Sequence, residues 1–304
     1  MKKIKRLNDF IRDDIWTLDL EEFSKARARF IKYMKVMIIT IKTFANERIG
    51  FQAVALSFFS TMSVVPFIAI MFAITGGLGL ADKLKELLYA YFENSQQTID
   101  IILGFAQNII YTAQSSAIGL ISALMFSFIV IWMMLNVERV FNNVWRVRKA
   151  RNIIKRLSYV LVMIILSPFV AMMFFAGSFV YSHAVEYLGI DPEALGVFKT
   201  ILAWTLFAVL AALIFSAMYK FIPNAAVRYG SAFRAAIPAA IAFTTVQYLY
   251  LETQVFVTRL STIFGTFAAV PLFMVWINIG WFIILIGAEL SYAFQNVDNY
   301  NLDD

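Results

Sequence analysis

From Leu260 to Ala288 the chain runs without one charged side chain. A helix of roughly 20 apolar residues crosses a bilayer core, so this run is long enough to span one. It closes in Gly287-Ala288-Glu289-Leu290, a small-residue turn followed by a carboxylate. The remainder of the chain has the same character. It is 61% hydrophobic and 15% charged, with mean hydropathy +0.73. Soluble domains average about 45–50% apolar and about 25% charged, and a soluble core cannot absorb the difference. The expected class is therefore an all-α polytopic membrane protein without a sizeable soluble domain.

Six spans are predicted at about 51–76, 116–137, 157–182, 200–221, 231–251 and 266–290, within a transmembrane domain over 49–291. Residues 1–48 form a charged N-terminal segment, and 292–304 a short polar tail. Charges continue to Lys35, so the start does not read as a secretory signal peptide. In the segment before the first span, Ile31, Met34, Ile38, Ile41 and Ala45 recur at helical spacing, while Lys32, Lys35 and Lys42 share another part of the wheel. Such a helix either lies on the inner membrane surface with its lysines at anionic headgroups or packs on the cytoplasmic end of the bundle. Between the first two spans, Leu84, Leu87, Leu88 and Tyr91, then Ile99, Ile102, Leu103, Ala106 and Ile110, repeat at i, i+3, i+4 and i+7. They predict an extracytoplasmic helical hairpin.

Lys and Arg set orientation through the short loops. With the N-terminus inside, 22 of the 26 Lys and Arg fall in inner segments and only Lys83, Lys85, Lys199 and Arg259 outside. This predicts six crossings with both termini in the cytoplasm. The basic connector holding Arg146, Arg148 and Arg151 is expected to serve topology and to touch anionic lipid. Pro66, Pro168, Pro238 and Pro271 fall inside four spans. Each is expected to kink its helix, and freed backbone groups at that depth need protein or water partners.

Much chemistry is excluded. There is no Cys and one His, His183, so thiolate and His-based metal sites are not expected, nor is any cofactor. The acids show no ligand spacing for metal-assisted phosphodiester cleavage, and there is no phosphate-cradling loop or nucleophile elbow. The basic connector lacks an RNA-recognition pattern. An enzyme and a nucleic-acid partner are both disfavoured.

Three stretches carry a resemblance. They are Ala53-Val54-Ala55-Leu56-Ser57-Phe58-Phe59 through Val65-Pro66, Asn136 through Asn142-Asn143-Val144-Trp145-Arg146-Val147, and Tyr248 to Leu290 with Phe264-Gly265-Thr266, Val270-Pro271-Leu272, Trp276 and Gly287-Ala288-Glu289-Leu290. In that order they resemble the YihY/BrkB family of bacterial inner-membrane proteins, once labelled ribonuclease BN, a label regarded as a misassignment. The resemblance implies six helices with both ends inside. It also implies an association with envelope integrity and, for some members, proposed export of lipid or lipopolysaccharide precursors.

The candidate site residues follow. Glu289 is an acid near the inner end of the last span, and an ionisable group at membrane depth is a functional candidate by default; a headgroup-zone residue paired to a connector arginine is the alternative. Glu138 and Arg139 end the second span, as a structural clamp or as part of a path. Ser57, Ser60 and Thr61 share one face of the first span, and Gln247 and Asn278 are polar inside the last two. They either hold helices together or line a cavity. The expected function is transport or handling of a lipid or other amphiphile, with membrane lipids as partners. A non-transporting scaffold and a small-solute or ion transporter are the alternatives.

Overall fold

The computed structural model describes residues 15–18, 23–46, 48–91, 96–115, 117–147, 151–187, 196–264 and 269–300. Every regular element among them is a helix. A single turn, α1 (Ile15–Thr17), precedes α2 (Lys25–Asn46), α3 (Ile49–Gly77), α4 (Ala81–Tyr91), α5 (Gln96–Ser115), α6 (Ala117–Val144), α7 (Ile153–Tyr187), α8 (Gly196–Phe221), α9 (Tyr229–Phe264) and α10 (Ala269–Asn296). Arg148 and the side chain of His183 lie outside the described residues.

The protein is an all-α polytopic membrane protein. Among the described residues, five helical stretches are long and apolar enough to cross a bilayer: Ile49–Gly77, Gly119–Val144, Ile153–Met172, Trp204–Phe221 and Pro271–Asn296. The expected span at 231–251 falls on α9. Arg234, Thr244, Thr245 and Gln247 dilute its apolar content, yet it packs against both α8 and α10 more extensively than any other helices pack together.

Lipid tails are as apolar as leucine, so helices in a membrane associate through close packing rather than by escape from water. The sequence of α9 is built for that. Ala232, Ala235, Ala236, Ala239 and Ala240 form one buried stripe at helical spacing, meeting Ala211 and Ala212 of α8 and Ala288 of α10. The outward faces carry the large side chains. Phe51, Val54, Phe58 and Met62 on α3, and Leu124, Met125, Phe128 and Trp132 on α6, are exposed rows that a bilayer would solvate and water would not.

Both amphipathic stretches expected between the first two spans form helices. Leu84 of α4 and Ile99 and Leu103 of α5 are buried with Met71 and Phe72 near the end of α3. At the other end of the bundle α2 lies against α10, with Val36 and Ile39 packed on Ala293 and Val297. Arg48, in left-handed backbone at φ 50° and ψ 38°, turns the chain from α2 into α3.

One expectation is corrected here and one alternative resolved. The face that α2 buries in protein is Val36, Ile39, Thr40 and Thr43, which leaves Ile31, Met34, Ile38, Ile41 and Ala45 partly covered or exposed. Lys35, expected at headgroups, is only 8% exposed, with its ammonium 5.9 Å from the centre of the Trp16 ring. Pro66, Pro168 and Pro238 are inside their helices, and Pro271 is the third described residue of α10, next to residues 265–268, which lie outside the described residues.

Candidate functional site

The polar residues gather where the C-terminal parts of α6, α8 and α10 meet the N-terminal part of α9. Glu289 lies in the last third of α10 and is 0% exposed. Two residues earlier Gly287 brings the α10 backbone against α8 and α9. A Cβ at that position would meet the Tyr219 hydroxyl, lie 2.7 Å from its Cζ, and lie 2.8 Å from the Cβ of Ala239. Tyr219 is itself fully buried, held by Phe141 and Phe215 with ring centres at 6.4 and 6.3 Å. Its hydroxyl has no hydrogen-bond partner among the described residues, and neither do those of Ser216, one turn earlier on α8, and Ser291, beside Glu289. Leaving a buried polar group unpaired costs about 1–3 kcal/mol, so this concentration is not a neutral way to build a core.

A second group lies deeper, between α3 and α10. Trp281 donates to Ser60 at 2.8 Å, and Asn278 reaches Ser57 at 3.4 Å. Thr61 donates to the carbonyl of Ser57 within its own helix at 2.8 Å. Gln247 is buried on α9, and its amide oxygen lacks a partner among the described residues.

The third group is an ionic clamp. The Glu138 side chain is 3% exposed and accepts from Arg156 Nε at 2.8 Å and from Arg151 Nη1 at 3.3 Å. Arg151 also donates to the carbonyls of Ile222 at 3.0 Å and Pro223 at 3.3 Å, and stacks 4.3 Å over Tyr159. Arg156 donates to the carbonyl of Leu135 at 2.8 Å. One carboxylate thus ties together the end of α6, the start of α7 and the end of α8. Arg139 is not part of it. Its side chain is exposed and, among the described residues, reaches Asn136 on its own helix, at 3.4 Å. Arg151, expected at lipid headgroups, is taken up by the protein instead. Arg146 also turns inward, over the rings of Tyr292 and Tyr300 at 5.4 and 5.9 Å.

Comparison with known proteins decides the family. The family described as "Virulence factor BrkB" matches residues 40–304. The chain belongs to the BrkB family. It is 28% identical over 257 residues to a UPF0761 membrane protein of Janthinobacterium sp. (strain Marseille), covering 83% of this chain and 58% of that one. To the UPF0761 membrane protein of Legionella pneumophila (strain Corby) it is 26% identical, over 89% of this chain and 64% of the relative. To that of Chlorobium limicola (strain DSM 245 / NBRC 103803 / 6330) it is 26% identical, over 96% and 65%. The chain thus spans about three-fifths of the length of the curated relatives it matches. No solved structure matches it.

The three stretches that resembled the BrkB family in sequence prove to be neighbours in space. The first meets the third through Ser57–Asn278 and Ser60–Trp281. The second packs Trp145 edge-on to Tyr292, just beyond the end of the third, with ring centres 5.6 Å apart. Asn142, in the second, accepts from the backbone N–H of Asn224 at 2.7 Å, and Gln295 accepts from that of Arg228 at 2.6 Å. Both fix the turn between α8 and α9. Ser216, Trp281 and Gln295 were not singled out by sequence reasoning, and Tyr219 and Asn142 were not among the expected site residues. Gly287 was the usable signal for Tyr219, because a glycine inside an apolar helix marks a close approach.

Proposed function

We propose that this protein handles a lipid or other amphiphilic envelope molecule in the bacterial inner membrane, taking its polar end at the inner ends of α8, α9 and α10. The observation that supports this is the fully buried Glu289 sharing those helix ends with the hydroxyls of Ser216, Tyr219 and Ser291. Buried ionisable and polar groups in a membrane bundle are expensive and mark substrate or ion paths, and a polar cargo supplies the partners these hydroxyls lack. Gln247 extends the polar set along α9.

The test is mass spectrometry of lipids that co-purify with gently extracted protein, wild type beside Glu289→Gln. The expected result is one lipid class enriched over the bulk membrane in the wild type and lost in the folded variant. Bulk lipid in both would reject the reading and favour a non-transporting scaffold. That second reading draws on the α3–α10 seam, where Ser57, Ser60, Asn278 and Trp281 are already engaged with one another.

We further propose six crossings with both ends of the bundle domain in the cytoplasm, α9 being the sixth. The charge distribution and the packing of α9 against α8 and α10 support this. The chain contains no Cys, so single introduced cysteines report without background. In intact cells an impermeant maleimide is expected to label Lys83→Cys and to leave Arg228→Cys unlabelled until the inner face is opened. The reverse pattern would overturn the orientation.

A further inference from the structure

A cavity of about 500 Å³ opens between the first two turns of α2 and the inner ends of α9 and α10, lined by Ala28, Arg29, Lys32, Tyr33, Arg234 and Phe294. Its polar lining is cationic. Arg29 and Arg234 are exposed and have no partner among the described residues, while Lys32 is held by Asp298 at 2.8 Å. Among the described residues, three cations against one acid leave the groove positive, and the two guanidiniums without a partner come from different helices. Guanidinium forks match the oxygens of a phosphate, and two of them facing one space are a recognisable anion cradle.

The walls say where the anion comes from. Tyr33 and Phe294 meet edge to face with ring centres 5.8 Å apart, and aromatic rings favour the headgroup level of a bilayer. From Tyr33 an exposed apolar row runs along α2, through Phe30, Met37 and Ile41. That row is a distinct face from the one α2 buries on α10. A helix with such a face lies in the membrane interface, which sets the mouth of the groove at headgroup depth, with room for acyl chains along the outward row.

We infer that this groove binds the phosphate of an anionic phospholipid, Arg29 and Arg234 gripping the phosphate and α2 carrying the acyl chains on its Phe30, Met37 and Ile41 face. The site is separate from Glu289 and stands whether or not the protein moves a cargo.

The experiment is native mass spectrometry of the protein in nanodiscs of equal phosphatidylglycerol and phosphatidylcholine. The wild type is expected to retain phosphatidylglycerol over phosphatidylcholine. Arg29→Gln with Arg234→Gln is expected to cut that enrichment by roughly fivefold for each guanidinium, near a juxtamembrane cation's usual contribution. Lys83→Gln with Lys155→Gln removes the same charge elsewhere and is expected to leave it unchanged, as is Glu289→Gln, so this site and the proposed function fail separately. Enrichment surviving in the double arginine variant would overturn the inference. So would displacement of the lipid by millimolar inorganic phosphate, which would reassign the groove to a free anion. Should the double variant not fold, photoactivatable phosphatidylglycerol on the wild type decides. Adducts within residues 28–33 and at Arg234 support the site, and their absence overturns it.

Discussion

Gly287→Ala is expected to cost about 3 kcal/mol, the upper end for overpacking a core. The added methyl would occupy space already held by the Tyr219 ring and by Ala239, with Cζ at 2.7 Å and the alanine Cβ at 2.8 Å. Neither neighbour has room to yield. Tyr219 is walled in by Phe141 and Phe215, and Ala239 is part of the alanine stripe that sets the α9 spacing. Relief therefore requires α10 to move away from α8 and α9, which opens the contact over several turns. In detergent the melting temperature is expected to fall by roughly 8 °C, taking about 2–4 °C per kcal/mol for a chain of this size class. Tyr219→Phe is expected to restore part of the loss in the Gly287→Ala background, because the hydroxyl is the nearest atom to the new methyl. An unchanged melting temperature in Gly287→Ala would mean that the helices are not this close.

Glu138→Ala is the second large effect. Removing one partner of a buried ion pair leaves the other charge uncompensated, at about 3–5 kcal/mol. Here two guanidiniums, on side chains 17% and 19% exposed, lose their carboxylate. Arg151 keeps its carbonyl acceptors at Ile222 and Pro223, so the lower figure of about 3 kcal/mol is expected. Arg139→Ala, one residue away but exposed, is expected to change stability by no more than about 0.5 kcal/mol. Thermal unfolding of the two variants side by side checks this. Equal losses would show that the clamp does not hold the three helix ends. A cycle of Glu138→Ala with Arg156→Ala should show strong coupling, since the 2.8 Å pair is removed by either change.

The contrast between those neighbours shows what the sequence could and could not convey. That Glu138 ends a span and needs a cation was legible from its place beside an apolar run. Which cation it takes was not. Arg139 is adjacent in sequence, but successive helical residues point about a quarter-turn apart, whereas Arg151 and Arg156 return only after the connector has folded back. The same limit governs α2. Its periodicity announced an amphipathic helix, but two apolar faces were superimposed, one exposed and one packed on α10. The burial of Lys35 depends on Trp16, which no spacing within the helix reveals. Helix positions and the hairpin were legible because both rest on local periodicity. The polar cluster around Glu289 was legible only in that acid itself and in Gly287, since Tyr219 and Ser216 arrive from a helix some seventy residues earlier.

The contact between α2 and the end of α10 has a consequence of counting. Lys32 pairs with Asp298 at 2.8 Å, and Val36 and Ile39 pack on Ala293 and Val297, so α2 and the end of α10 lie together at one end of the bundle. A thread that leaves one side of a sheet and comes back to it has passed through an even number of times. Among the described residues five sufficiently apolar stretches lie between those points, and five is odd. The six crossings proposed above make up the tally with α9, which buries its alanine stripe and Gln247 against its neighbours while Thr245 stays exposed.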